Sequence, residues 1–165
     1  MKLLLKKFAF ALLALLVLVG LVVCIEYFGG QPFGLFSGSR PTTLGFSGGK
    51  FALPSWKPNA VSSTVDKSDA AHFIAPLAYS GTSGDAWKKL MDVVRRSLGA
   101  TVVTENANYV HAEFKSTGMG FVDDVEFALD EKSGVIQARS GSRLGVRDFG
   151  VNRKRIETIR LQLGK

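Results

Sequence analysis

Tyr109-Val110-His111-Ala112-Glu113-Phe114-Lys115-Ser116 is followed, after Gly118 and Gly120, by Phe121-Val122-Asp123-Asp124-Val125-Glu126-Phe127-Ala128-Leu129. Both runs alternate. In the first, Val110, Ala112 and Phe114 fall on one face, and Tyr109, His111, Glu113 and Lys115 on the other. In the second, Phe121, Asp123, Val125, Phe127 and Leu129 oppose Val122, Asp124, Glu126 and Ala128. Period-two alternation bounded by glycine turns predicts antiparallel strands. Asp130-Glu131-Lys132-Ser133-Gly134 then reads as a hairpin loop into a strand over Val135–Ser142, and Thr101–Glu105 reads as a short strand before the Asn106-Ala107-Asn108 turn.

Two helices flank these strands. Thr82 or Ser83 can cap the first, Asp85 suits its first turn, and Gly99 suits its stop. Trp87, Leu90, Val93, Val94 and Leu98 recur at helical spacing, with Lys88, Lys89, Asp92, Arg95 and Arg96 opposite. The second helix is expected over about 151–163, capped by Asp148 or Asn152, with an apolar stripe of Ile156, Ile159, Leu161 and Leu163. Helix, about four antiparallel strands and helix predict an α+β domain with helices on one sheet face. The other face is expected to be polar or covered by the chain that precedes the domain. Asn59–Ser80 reads as irregular and extended, and Pro76 permits at most an edge strand there.

Upstream, Phe8–Ile25 has no charge, no proline and only Gly20 as a helix weakener. As a helix it would span roughly 27 Å, close to a hydrocarbon core of about 30 Å. Lys2, Lys6 and Lys7 precede it, while Glu26 is the only charge soon after. That asymmetry predicts a cytoplasmic N-terminus and a domain across the membrane, periplasmic in a bacterial inner-membrane protein. The run is longer than a typical signal-peptide core and ends Val22-Val23-Cys24 without a small-x-small cleavage site, so a retained anchor over residues 1–27 is expected over a cleaved signal. Cys24 is the only cysteine, which excludes an intrachain disulfide, and Val23 is a poor predecessor for a lipoprotein cysteine. Residues 28–57 read as a linker, rich in glycine and in Phe28, Phe33, Phe36, Phe46 and Phe51, with residues 58–165 as the domain.

The net charge of +7 is not evidence for nucleic acid. Three lysines belong to the anchor. Glu105 to Glu131 is acidic and the chain from Arg139 onward is basic, so the two stretches can neutralise each other. A basic surface for anionic headgroups remains open.

Several motifs occur in order: Asn59-Ala60-Val61-Ser62-Ser63, His72-Phe73-Ile74-Ala75-Pro76-Leu77, His111-Ala112-Glu113-Phe114, Gly120-Phe121-Val122-Asp123-Asp124-Val125-Glu126-Phe127, Arg139-Ser140-Gly141-Ser142-Arg143 and Gly150-Val151-Asn152-Arg153-Lys154-Arg155. The series resembles the bacterial domain-of-unknown-function family 1499 (DUF1499) over about residues 58–163. The resemblance implies a domain boundary and no established activity. The family often has cysteine where this chain has Ala60, so a thiol role there is absent.

Strand alternation puts His111 with Glu113, and Asp124 with Glu126, on shared faces that paired strands would bring to Arg139. Like charges facing each other need a cation between them, for which Arg139, Arg143, Arg153 and Arg155 are candidates. A structural ion-pair network is the plainest reading. A binding module would use Glu113, Glu126, Arg139, Ser140, Ser142, Arg143, Asn152, Arg153 and Arg155, with the N-terminus of the last helix holding an anion such as a lipid phosphate or another envelope component. Docking of an envelope protein is a third reading. An enzyme would use His111 with Asp123 or Asp124 as base and orienting acid, or carboxylates with His72 or His111 around a metal. Against it, no G-x-S-x-G or His-x-x-x-His pattern occurs, and Asp123 and Asp124 point to opposite faces. The expectation is a non-catalytic module without metal or cofactor.

Overall fold

The computed structural model describes residues 2–28 and 36–164. Helix α1 runs Lys2–Phe28. Its stretch Lys6–Cys24, 19 residues, is long and apolar enough to cross a membrane, and none of it is buried inside the structure. A signal sequence would pass the same test of length and composition. Of the expected linker, residues 29–35, including Phe33, lie outside the described residues.

The remaining elements are β1 (Phe46–Ser47), β2 (Lys50–Phe51), β3 (Ala60–Ser62), β4 (Leu77–Ala78), α2 (Ser83–Arg96), β5 (Ala100–Glu105), β6 (Tyr109–Lys115), β7 (Val122–Asp130), β8 (Val135–Ser142) and α3 (Val151–Leu163). The main sheet is antiparallel in the order β3-β8-β7-β6-β5, with β4 also pairing to β8. The alternating strands appear where the sequence places them, and the fold is α+β. Two short strands lie in the stretch read as irregular and extended. Ala60–Ser62 pairs with Gly141–Arg139, and Leu77–Ala78, next to Pro76, pairs with Ile136–Val135. Both lie on one long neighbour, β8, so neither needs a periodicity of its own.

One sheet face carries the core. Val110, Ala112 and Phe114 of β6, Val125 and Phe127 of β7, and Ile136 and Ala138 of β8 meet Leu90, Met91 and Val94 of α2 and Ile156 and Ile159 of α3. Each of the larger side chains contributes about 1.5–3 kcal/mol on full burial, the alanines less. Thr82 caps α2 by accepting from the Asp85 N–H at 3.1 Å. The helix closes at Ser97, so Leu98 leaves the expected stripe and is 86% exposed. Gly99 then turns the chain into β5 with φ +74°, and a Cβ there would sit 2.3 Å from the Lys115 carbonyl. On α3, Leu161 is exposed rather than part of the stripe. Two positions beyond Ile159 is about 200° around a helix, which turns it away from the sheet.

The opposite sheet face is covered by residues 36–52. Within this glycine-rich arm β1 and β2 form a hairpin turned by Gly48 and Gly49 at φ +58° and +78°, the left-handed pair that suits a two-residue hairpin. Phe51 is buried, its N–H donates to Thr64 Oγ1 at 3.2 Å, and its ring meets Phe46 edge-on at 4.9 Å.

Candidate functional site

The register of β6, β7 and β8 sets His111 opposite Glu126, Glu113 opposite Asp124, and Glu126 opposite Arg139. Two facing carboxylates repel unless a cation intervenes. That cation is Arg143, one step beyond β8. Its Nε and Nη2 donate to Asp124 at 2.8 and 2.7 Å, and Nη2 also donates to Glu113 at 2.5 Å. His111 Nε2 lies 2.8 Å from Asp124 Oδ1. Glu126 accepts from Arg139 Nη1 at 2.5 Å and from Tyr109 Oη at 2.8 Å. Arg139 Nε is buried without a partner.

The arm completes the network. Arg40 donates to Glu113 through Nε and Nη2 at 2.9 and 2.6 Å, and the Gly45 N–H donates to Glu126 at 2.6 Å. The outcome is a closed charge layer: His111, Asp124 and Glu126 are 3%, 1% and 0% exposed.

Electrostatics follow from this geometry. Burial alone would raise the carboxyl pKa values of Asp124 and Glu113. For Asp124, hydrogen bonds from Arg143 and His111 outweigh burial; for Glu113, those from Arg143 and Arg40 do. Both are held below the ordinary carboxylate value. Asp124 in turn raises the Arg143 guanidinium, against its own burial. Burial and then the Glu126 charge push the Tyr109 phenol up.

The residues proposed for an anion site do not lie together. Positions 139 and 143 fall on the arm-covered face, whereas 140 and 142 fall on the helix face. On the helix face Asn152 is the hub. Its Nδ2 donates to the Asn59 carbonyl at 3.0 Å and to Ser142 Oγ at 2.9 Å, while its Oδ1 accepts from Ser140 Oγ at 2.5 Å and from Arg155 Nη1 at 2.7 Å. Arg155 also donates to Asp123 at 2.5 Å and lies over the Phe114 ring at 4.9 Å. Asp123 and Asp124 therefore serve opposite faces, as their adjacency on a strand requires. Arg153 is occupied elsewhere, donating to the carbonyls of Phe73, Ala70 and Ala71. The N-terminus of α3 already holds an anion: Asp148 accepts from the N–H groups of Gly150 and Asn152 at 3.0 and 2.9 Å.

His72 stands apart from His111, bonded to Asp69 at 2.8 Å and to the Lys57 carbonyl at 3.0 Å. Among the described residues, no group of three or more His, Cys, Asp or Glu is arranged to hold a metal ion. Arg40, Gly45 and Asn59 were missed as network members. Arg40 did carry a signal, being the only charged residue between Tyr27 and Gly49.

Residues 52–163, well over half of the chain, match the family model described as a protein of unknown function (DUF1499). The chain belongs to the DUF1499 family. No curated protein and no solved structure matches it significantly. The matched region begins just after the β1–β2 hairpin, so the DUF1499 region supplies His111, Glu113, Asp124, Glu126, Arg139 and Arg143, and the preceding arm supplies their cover.

Proposed function

We propose that the chain is a single-pass, non-catalytic protein of the bacterial envelope. In this reading α1 is retained in the inner membrane with its lysines cytoplasmic, and the DUF1499 domain rests, on the periplasmic side, against the anionic surface of the same membrane. Support comes from what gathers at one end of the sheet. There β6 and β8 finish and β3, β5 and β7 begin, as the pairs Ala100–Phe114, Lys115–Val122, Asp123–Ser142 and Ala60–Gly141 require. The arm meets the domain at this end, where the Phe36 and Phe121 rings lie 5.0 Å apart. From Phe28 to Phe36 is eight residue steps, a reach of at most about 29 Å.

At that end Leu98, Met119, Leu144, Val146, Phe149 and Val151 are all exposed. Arg96, Lys115 and Arg147 lie among them without a carboxylate partner among the described residues. Each basic group near an anionic surface contributes about 1 kcal/mol to binding. The observation that carries the reading is Phe149. It is 95% exposed and the only described non-glycine residue with positive φ, at 54°. A bulky side chain in the left-handed region costs on the order of 1–2 kcal/mol, and here no packing repays it. An aromatic held out on a loop fixed by Asp148 suits insertion into a headgroup layer.

Phe149→Gly separates folding from docking. Glycine relieves the strained φ, so the melting temperature of the full chain should hold or rise slightly. In nanodiscs containing phosphatidylglycerol, amide exchange over residues 143–150 should be slowed in the parent chain, and at least about fivefold less so in the variant. This fold change corresponds to about 1 kcal/mol of docking. Equal exchange in phosphatidylglycerol and phosphatidylcholine discs would refute docking on an anionic surface. Protection seen only in native membrane vesicles would assign this end to an envelope protein instead.

A further inference from the structure

The helix layer parts between α2 and α3. The gap is an open groove of about 1070 Å³, at the upper end of the size range of small-molecule sites. Its floor is apolar, formed by Val93, Phe114 and Ile159. Its rims are basic, with Lys89 and Arg96 on α2 and Lys154 on α3, against the single carboxylate of Asp92; Lys115 borders it at the end of β6, where strand alternation turns its side chain to the other sheet face.

These cations differ from those of the two buried networks. Arg155, also on the wall, is committed to Asp123. Arg96 and Lys154 have no such partner among the described residues, and Lys89 reaches only the Leu163 carbonyl at 2.8 Å, which leaves its charge unneutralised. An ordinary solvated helix face would not combine an apolar trough with cations on both banks. The combination complements an amphiphile with an anionic head. At one end the groove is lined by Leu98, Thr117 and Val151, the end assigned above to the bilayer.

We propose that the groove holds the acyl chain of one anionic lipid, with its headgroup against Arg96 and Lys154. This rests on the docking reading, because the open end must face the bilayer for a chain to enter. Arg96 would then serve both the surface and the bound lipid, whereas Lys154 and Thr158 belong to the groove alone.

The test uses the full chain in phosphatidylcholine nanodiscs doped with phosphatidylglycerol that carries a diazirine in its acyl chain. After irradiation, adducts are mapped by peptide mass spectrometry. Adducts are expected on the peptides containing Val93, Phe114 and Ile159, at least about fivefold above those from a matched diazirine phosphatidylcholine. Lys154→Glu should remove most of them by charge. Thr158→Trp should remove them by filling the trough with no change in charge. Both variants should keep the slowed amide exchange of residues 143–150. Groove peptides left unlabelled, labelled equally by the two lipids, or labelled as strongly in both variants would overturn the proposal. If residues 143–150 stay protected while the groove is unlabelled, the groove inference fails alone. If protection is also absent, the docking reading fails with it.

Discussion

Arg143→Ala is expected to destabilise the domain by about 3–5 kcal/mol, measured as the shift in the denaturant midpoint of the full chain followed through the buried Trp87. Among the described residues, Arg143 alone is bonded to both Asp124 and Glu113, which face each other across β6 and β7. Its removal leaves Asp124, almost wholly buried, with His111 alone; Glu113 keeps Arg40, but the two carboxylates lose the cation between them. Arg143→Lys should recover only part of the loss, because an ammonium cannot present the fork that now engages Asp124 through two nitrogens. The same substitution should change the acid limb. The Asp124 and Glu113 pKa values are lowered in the folded chain, so the unfolded chain takes up protons first on acidification. Their stabilisation is therefore present above the ordinary carboxylate values and is lost as pH falls below about 4 toward the lowered ones. Arg143→Ala should flatten that limb. A cost under about 1 kcal/mol, or an unaltered acid limb, would show that the layer does not depend on Arg143.

Asn152→Ala should cost about 3 kcal/mol in the same measurement. Asn152 is fully buried and satisfies four partners, among them the Asn59 carbonyl that ties β3 to α3. Alanine removes all four bonds, at about 0.5–1.5 kcal/mol each; the Ser140 hydroxyl then keeps only Arg155 Nη1, and the Asn59 carbonyl only the Ser142 N–H. Ser140→Ala should cost only about 1 kcal/mol, since Asn152 Oδ1 keeps Arg155. Equal costs for the two variants would contradict the role of Asn152 as the hub.

The contrast between these two sites shows what the sequence made legible. Alternation in 109–116 and 121–129 places His111, Glu113, Asp124 and Glu126 together, and the rule that facing carboxylates need a cation anticipates an arginine between them. The same alternation, carried through 139–143, separates Arg139 and Arg143 from Ser140 and Ser142. A single anion site built on all four overlooked that parity. The cover was less legible, because Arg40 and Gly45 act from 73 and 81 residues away and a glycine-rich arm has no periodicity to read. Ala60–Ser62 was missed for a related reason: three residues carry too little pattern, and their pairing is dictated by β8. Phe149 had no sequence signal at all, since its interest lies in a backbone angle and an exposure.

The proposed seating of one end of the domain on the bilayer is directly measurable. Because Cys24 is the only cysteine, a Cys24→Ser chain accepts a single environment-sensitive label at Phe149→Cys or, at the far end of the sheet in the β7–β8 turn, at Lys132→Cys. In phosphatidylglycerol nanodiscs containing lipids spin-labelled near the headgroup, the label at 149 should be strongly quenched and blue-shifted, and the label at 132 should behave as in water. Equal quenching at the two positions, or none at 149, would contradict the account.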